Sequence, residues 1–212
     1  ANDINNCRQC MLAMSMYVLD NSDFLPAPGW QMNYDNWVAS KNLNPLGPTT
    51  AAGYQNTYNM QLRYFNGIGL NPQAPGLLYQ CIKNEKLLLC PQDIPPHDTS
   101  NRGELISSYV WNGAIVGYPN TSAGSPQVPT IKLTKFKASN ILQWENDEKN
   151  TSNGAWNDFS NFPLEGGKPT FSSRHGKAAQ VGRFDGSAAR ITMGEMVANA
   201  NGVTYRNDLW CN

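Results

Sequence analysis

The sequence predicts an α+β domain: a long N-terminal helix packed on an antiparallel sheet, with long ordered loops between. Three observations predict it. Apolar residues recur at helical spacing over the first twenty positions. Strand-like runs, one pair joined by Asp185-Gly186, fill the second half. The stretches between are rich in Asn, Gly, Pro, Ser and Thr and show no period.

In residues 1–20, Ile4, Cys7, Met11, Met14 and Val18 fall three or four apart, one stripe of an amphipathic helix that Cys10, Ala13 and Tyr17 widen. Asn5, Arg8, Gln9 and Ser15 lie off it. Asp20-Asn21-Ser22-Asp23 ends the pattern, and Pro26 and Pro28 prevent its resumption. From Pro26 to Gly76, Trp30, Trp37, Tyr54, Tyr58, Tyr64 and Phe65 are scattered among loop formers, with a short helix expected near Asn56–Phe65. Residues 76–90 read as a short helix and then a strand ending at Cys90-Pro91. Residues 107–116, 130–136 and 140–145 are further strand candidates.

Residues 178–184 and 187–192 flank Asp185-Gly186, the cue for a two-residue type I′ hairpin. Such a turn sets Phe184 opposite Ser187, Gly182 opposite Ala189 and Gln180 opposite Ile191 on a face suited to a helix. Val181, Arg183, Ala188 and Arg190 are then expected on a solvent face. No internal repeat, low-complexity run or linker divides the chain, so residues 1–212 are expected to form one domain.

Sixteen basic and sixteen acidic side chains cancel, which removes any general attraction to nucleic acid or to an anionic membrane. Hydrophobic residues make up 40% of the chain, enough for a core, while only 15% are charged, as suits a domain with a largely uncharged polar surface. The five cysteines are Cys7, Cys10, Cys81, Cys90 and Cys211, so at least one is unpaired within the chain. Cys7 and Cys10 form a CxxC without the second close pair of a zinc site. An export compartment with one or two disulfides is the redox expectation, Cys81 with Cys90 being a candidate pair. Asn120 and Asn150 open formal glycosylation triplets. No stretch is long and apolar enough for a membrane span. The chain opens abruptly in what reads as a helix, so a segment upstream of Ala1 is expected.

Chemistry has few carriers. The only histidines are His97 and His175, and no nucleophile elbow, phosphate loop, zinc-protease helix or dinucleotide fingerprint occurs. Asp93, His97 and Asp98 cluster in QDIPPHD, where two prolines favour a rigid surface loop over a metal site. Asp20 and Asp23 offer oxygens to calcium, but an aspartate cap explains them more simply. Trp30, Trp37, Trp111, Trp144, Trp156 and Trp210 would suit a glycan-stacking surface, although large aromatics more often anchor loops. His175 and Asp185 lack any evident nucleophile beside them, so the expectation is a protein that is not an enzyme.

The segment RHGKAAQVGRFDGSAARIT holds His175, nine residues, then Asp185-Gly186. It resembles the H-X9-DG domain of bacterial prepilin-type proteins. Asn5–Pro26, Gly76–Asp93 with its Leu-Tyr and Cys-Pro-x-Asp, Ser108–Gly113 and Asp208–Asn212 resemble that family in the same order. The family often carries a cysteine where Asp3 stands, and a histidine where Ser187 stands. The resemblance implies a pilin-like fold, residues 1–20 being the C-terminal half of one long helix whose apolar half anchors in the inner membrane. It implies a pseudopilin, a structural subunit of a secretion or pilus system on the envelope face. Its partners would be other pilin-like subunits, through that apolar helix, and the assembly machinery, with no nucleic acid and no membrane contact except through the anchor. His175, Asp185 and Gly186 would have a structural role. No cofactor is implied except that calcium binds some relatives, at positions that cannot be mapped here. A glycan-binding module of the envelope is the alternative.

Overall fold

The computed structural model describes residues 2–29, 35–40, 51–69, 75–95, 97, 102–116, 131–148, 159–165, 168–201 and 207–211. The architecture is α+β. Helix α1 (Asn2–Asp20) lies on a sheet whose strands are β1 (Tyr109–Asn112), β2 (Ile141–Glu145), β3 (Ser160–Asn161), β6 (Ala178–Arg183) and β7 (Ala188–Thr192), in the order β3-β1-β2-β6-β7. A small ribbon, β4 (Leu164–Glu165) with β5 (Lys168–Pro169), stands apart from it. Helices α2 (Ala51–Asn66), α3 (Tyr79–Ile82) and α4 (Met193–Asn201) complete the elements. Among the described residues no helix is long and apolar enough to cross a membrane.

α1 follows its stripe. Cys7, Cys10, Met11, Ala13, Met14 and Val18 are buried, and so is Asp3, which the stripe reaches one turn before Cys7. The helix stops where Ser22 and Asp23 adopt positive φ (55° and 68°) and the Asp23 amide turns back onto the Val18 carbonyl at 3.0 Å.

The sheet is mixed, not antiparallel throughout, because β3 runs parallel to β1. The hairpin register also differs from the sequence expectation. Val181 faces Ala189 and Gly182 faces Ala188, one residue away from the pairing of a two-residue turn. The loop has three residues. The Gly186 amide bonds to the Arg183 carbonyl (3.1 Å), the Arg183 amide to the Ser187 carbonyl (2.9 Å), and only Gly186 has positive φ (84°). This is a type I turn closed by a glycine bulge, which Asp-Gly serves as well as it serves type I′. The slip turns β7 over, Ala188 toward the α1 side and Ala189 and Ile191 away from it, while β6 keeps Gly182 and Phe184 toward α1 as expected. The face expected to meet solvent, which carries Val181, is a second core because α4 covers it. Val181, Ala179, Trp144, Val110, Ile141 and Phe171 bury it under Met196 and Ala200 of α4. The first core lies between α1 and the other face, with Tyr109, Trp111, Leu142 and Phe184.

Other differences have local causes. Residues 76–90 form α3 and then a 3-10 turn at Glu85–Leu88 in place of a strand. Lys83 takes a left-handed φ of 50°, and the Asn84 side chain accepts from the Lys86 amide (3.1 Å), capping the new turn. In 130–136 the described residues make only an isolated bridge, Phe24 with Lys132, and a 3-10 turn at Leu133–Lys135. Residues 107–116 give β1 and a 3-10 turn, and 140–145 give β2. α4 is started by a capping box: Thr192 Oγ1 donates to Glu195 Oε2 (2.7 Å) and accepts from the Glu195 amide (3.3 Å).

Candidate functional site

His175 is fixed by the tight turn before β6, where Gly176 and Lys177 both have positive φ. Arg190 of β7 reaches across to donate to the carbonyls of His175 (2.8 Å) and Gly176 (3.2 Å). The ring thereby points at the first turn of α1. Its Nε2 lies 3.0 Å from Asp3 Oδ2, 3.0 Å from Glu145 Oε1 and 3.4 Å from Cys90 Sγ. Asp3, Glu145 and Cys90 are buried, and His175 is partly exposed. These four donors come from α1, the end of β2, the Cys90-Pro91 loop and the turn before β6.

Each partner is positioned from behind. The Tyr109 hydroxyl donates to Asp3 Oδ1, and the Gln180 amide donates to Glu145 Oε2 at 2.8 Å. The Gln92 amide lies 3.3 Å from Cys90 Sγ, donating to the sulfur. Burial, and then the nearby Asp3 charge, raise the Glu145 pKa. Burial also pushes the Cys90 thiol up, followed by the charges of Glu145 and Asp3, and the Tyr109 phenol is raised chiefly by burial.

Asp185 and Gly186 are at the far end of β6, so they form no acid–base pair with His175. Asp185 closes the turn by accepting from the Ser187 amide (2.8 Å), and its pKa is lowered first by the Ser187 side chain and then by that amide bond. Its own amide donates to the Ala138 carbonyl at 3.1 Å. The turn lies against α1: a Cβ on Gly186 would sit 3.6 Å from Ser15 Oγ, and one on Gly182 only 2.5 Å from Met11 Cγ. The motif thus runs alongside the helix and touches it at Asp3, at Met11 and at Ser15. From Asp3 to Ser15 α1 rises roughly 18 Å. The six-residue β6 covers about 20 Å. The spacing between His175 and Asp185-Gly186 matches that stretch of helix.

A second cluster forms around Asp93 and His97, with Glu148 in place of Asp98, which lies outside the described residues. Two arginines fill it. Arg102 grips Asp93 with two bonds (2.9 and 2.8 Å) and reaches Glu148 at 3.3 Å, and Arg174 lies 3.0 Å from Asp93 Oδ1. Ser108 donates to Asp93 Oδ2 at 2.6 Å. Burial alone would raise the Asp93 pKa, but Arg102 and then Arg174 and Ser108 bring it down to about 2. The guanidinium groups stand where a cation would sit, so this is a charge-balanced strut joining the Cys90–Asp93 loop to the end of β2.

The other sequence candidates are dispersed. Cys81 and Cys90 are free thiols and form no disulfide. Cys81 acts on Tyr17 and is acted on by Asp20, near the C-terminal end of α1, whereas Cys90 is beside Asp3. Tyr17 and Asp3 are separated by roughly 21 Å of helix. Asp20 and Asp23 are exposed and belong to no converging group of metal-capable donors among the described residues. Trp37, Trp111 and Trp144 are fully buried, Trp37 stacked on Trp111 at 4.9 Å, and offer no ring to a sugar. Trp210 donates to the Ala200 carbonyl (3.0 Å). Trp30, Trp156, Asn120 and Asn150 lie outside the described residues. Sequence reasoning missed Asp3 and Glu145. The signal was a charged residue at a buried phase: Asp3 on the apolar stripe, Glu145 ending a run of strand formers. Compared with protein-family models, with curated proteins and with solved structures, the chain matches none.

Proposed function

We propose that this chain is the envelope-facing domain of a pilin-like subunit, a pseudopilin of a bacterial secretion or pilus system, acting by assembly and not by catalysis. One observation carries the reading: the His175–Gly186 motif lies along α1 and holds it to the sheet from Asp3 to Ser15. A subunit that transmits assembly forces through its N-terminal helix needs that helix fixed to its globular part. The outer side of α1 suits lateral packing. Leu12, Met16 and Leu19, at i, i+4 and i+7, form an exposed apolar stripe, with Leu19 80% exposed. The occupant of that stripe in this reading is a neighbouring copy of the same subunit.

The test is to express the full-length gene with a prepilin peptidase in a bacterial host, carrying Leu19→Cys. Leader removal, retention in the inner membrane and a ladder of copies cross-linked through position 19 are expected. Recovery of an unprocessed, soluble monomer that gives no ladder would overturn the reading.

A further inference from the structure

We propose that Asp3, Cys90, Glu145 and His175 form a four-ligand site for a divalent metal ion of zinc-like chemistry, which ties α1 to the sheet and to the Cys90-Pro91 loop. The inference stands on the geometry of these residues and does not rest on the filament reading.

The first ground is convergence. One atom from each of the four side chains lies within 4.8 Å of all the others. Two carboxylate oxygens and the Cys90 sulfur crowd one imidazole nitrogen, at 3.0, 3.0 and 3.4 Å. A ring nitrogen carries at most one proton and the Cys90 thiol donates its own to Glu145, so Asp3 Oδ2 is left without a hydrogen bond. A tetrahedral zinc ion with bonds of about 2.0–2.3 Å separates its ligands by roughly 3.3–3.7 Å. The three distances to His175 Nε2 lie within a few tenths of an ångström of that spacing, and the remaining ligand pairs lie within 4.8 Å.

The second ground is an orphaned acceptor. Asp3 is 4% exposed, and its Oδ2 makes no hydrogen bond although it lies 3.0 Å from the imidazole. Among the described residues Asp3 and Glu145 make ion pairs with His175 alone. Two buried carboxylates beside one imidazole are a poor charge balance, which a dication corrects.

The third ground is the outer shell. Tyr109 holds the other oxygen of Asp3, the Gln180 amide holds the other oxygen of Glu145, and the Gln92 amide supports the sulfur. Each leaves its partner's remaining lone pairs directed at the shared centre, as outer-shell groups do around bound metals. A shallow depression lined by Asn2, Asp3, Pro91, Gln92 and His175 gives an entry path. The donor set selects the metal class. A thiol and an imidazole disfavour calcium and magnesium, which take oxygen ligands, and favour a borderline ion. Four protein ligands close the coordination sphere, so the role is structural. On binding, the Cys90 sulfur passes its proton to solvent and coordinates as thiolate.

The experiment treats the chain with a chelator and then titrates it with Zn2+ and, separately, Co2+. One zinc per chain, a higher Tm with zinc, and a cobalt spectrum with thiolate charge transfer and tetrahedral d–d bands are expected. Cys90→Ser abolishes the charge transfer, and His175→Gln weakens zinc by more than the roughly 10–100-fold lost when an outer-shell partner is removed. Tyr109→Phe falls within that 10–100-fold window and keeps the charge-transfer band. If a variant fails to fold, protection of Cys90 in the unmodified chain from alkylation by stoichiometric zinc decides the matter. Absence of stoichiometric uptake, a cobalt spectrum without charge transfer, no protection of Cys90, or zinc affinity unchanged in both Cys90→Ser and His175→Gln would each overturn the site and leave a histidine–carboxylate hydrogen-bond cluster.

Discussion

α1 approaches the sheet closely at Gly182, and the approach can be measured by filling it. Gly182 is not among the positive-φ residues, so what it contributes is a missing side chain and not backbone freedom. A Cβ there would lie 2.5 Å from Met11 Cγ, 2.6 Å from Met11 Sδ and 3.3 Å from Cys7 Sγ. Both neighbours are completely buried, so the Met11 chain has little room to retreat. Gly182→Ala is therefore an overpacking change, expected to cost about 1–3 kcal/mol. At about 2–4 °C per kcal/mol for a chain of this length, the Tm falls by roughly 2–12 °C. Met11→Ala alone removes a buried side chain and costs about 2–5 kcal/mol. In the double variant the new methyl enters the space that Met11 vacated, so the two losses do not add, and the coupling is about 1–3 kcal/mol. Urea and thermal melts of the four proteins, followed by circular dichroism, complete the cycle. Additivity within about 0.5 kcal/mol would refute the claim that helix and hairpin meet at this glycine.

Three further outcomes follow from the same packing. Asp93 has a pKa held at about 2, below the ordinary 3.8, so its contribution is present above about pH 4 and is lost as pH falls toward 2; urea midpoints at pH 5, 3 and 2 should show the loss. Asp93→Asn should flatten that dependence and cost roughly 3–5 kcal/mol, because it strips a carboxylate from the buried Arg102. Asp185→Ala removes the acceptor for the Ser187 amide and should cost about 1 kcal/mol, while Asp185→Asn, which keeps an acceptor, costs less; a thermal melt unchanged by Asp185→Ala would count against the turn role. Thr192→Ala breaks the capping box at the start of α4 and should cost about 1 kcal/mol, read as a lower urea midpoint.

What was legible in the sequence was local. The stripe from Cys7 to Val18 gave α1 because burial on one side of a helix repeats every three or four residues. Asp185-Gly186 gave the hairpin but not its register. Type I′ and type I-plus-bulge loops both use Asp-Gly, and one residue of slip exchanges the faces of β7 while β6 keeps its own. The α-helix after β7 was also readable, from Thr192 followed three residues later by Glu195, yet it hid behind the strand pattern before it. The parallel pairing of β3 to β1 has no local signature, since two residues carry it.

The cluster at His175 was illegible for a deeper reason. Its members are single residues on four segments, and each alone has an ordinary role: a helix-start aspartate, a buried cysteine before proline, a strand-end glutamate, a turn histidine. Only the docking of α1 on the sheet brings them together, and the docking distance is set by the side chain that Gly182 lacks. The two features are therefore coupled. A larger residue at position 182 pushes the helix outward, and Asp3, on the same buried stripe one turn before Cys7, moves away from His175 and Glu145. The Gly182→Ala variant should then lose part of its zinc-dependent gain in Tm as well as its apo stability. If zinc raises the Tm of Gly182→Ala by as much as it raises that of the unmodified chain, helix docking and the His175 cluster are independent, and the strand–helix length match has no bearing on the site.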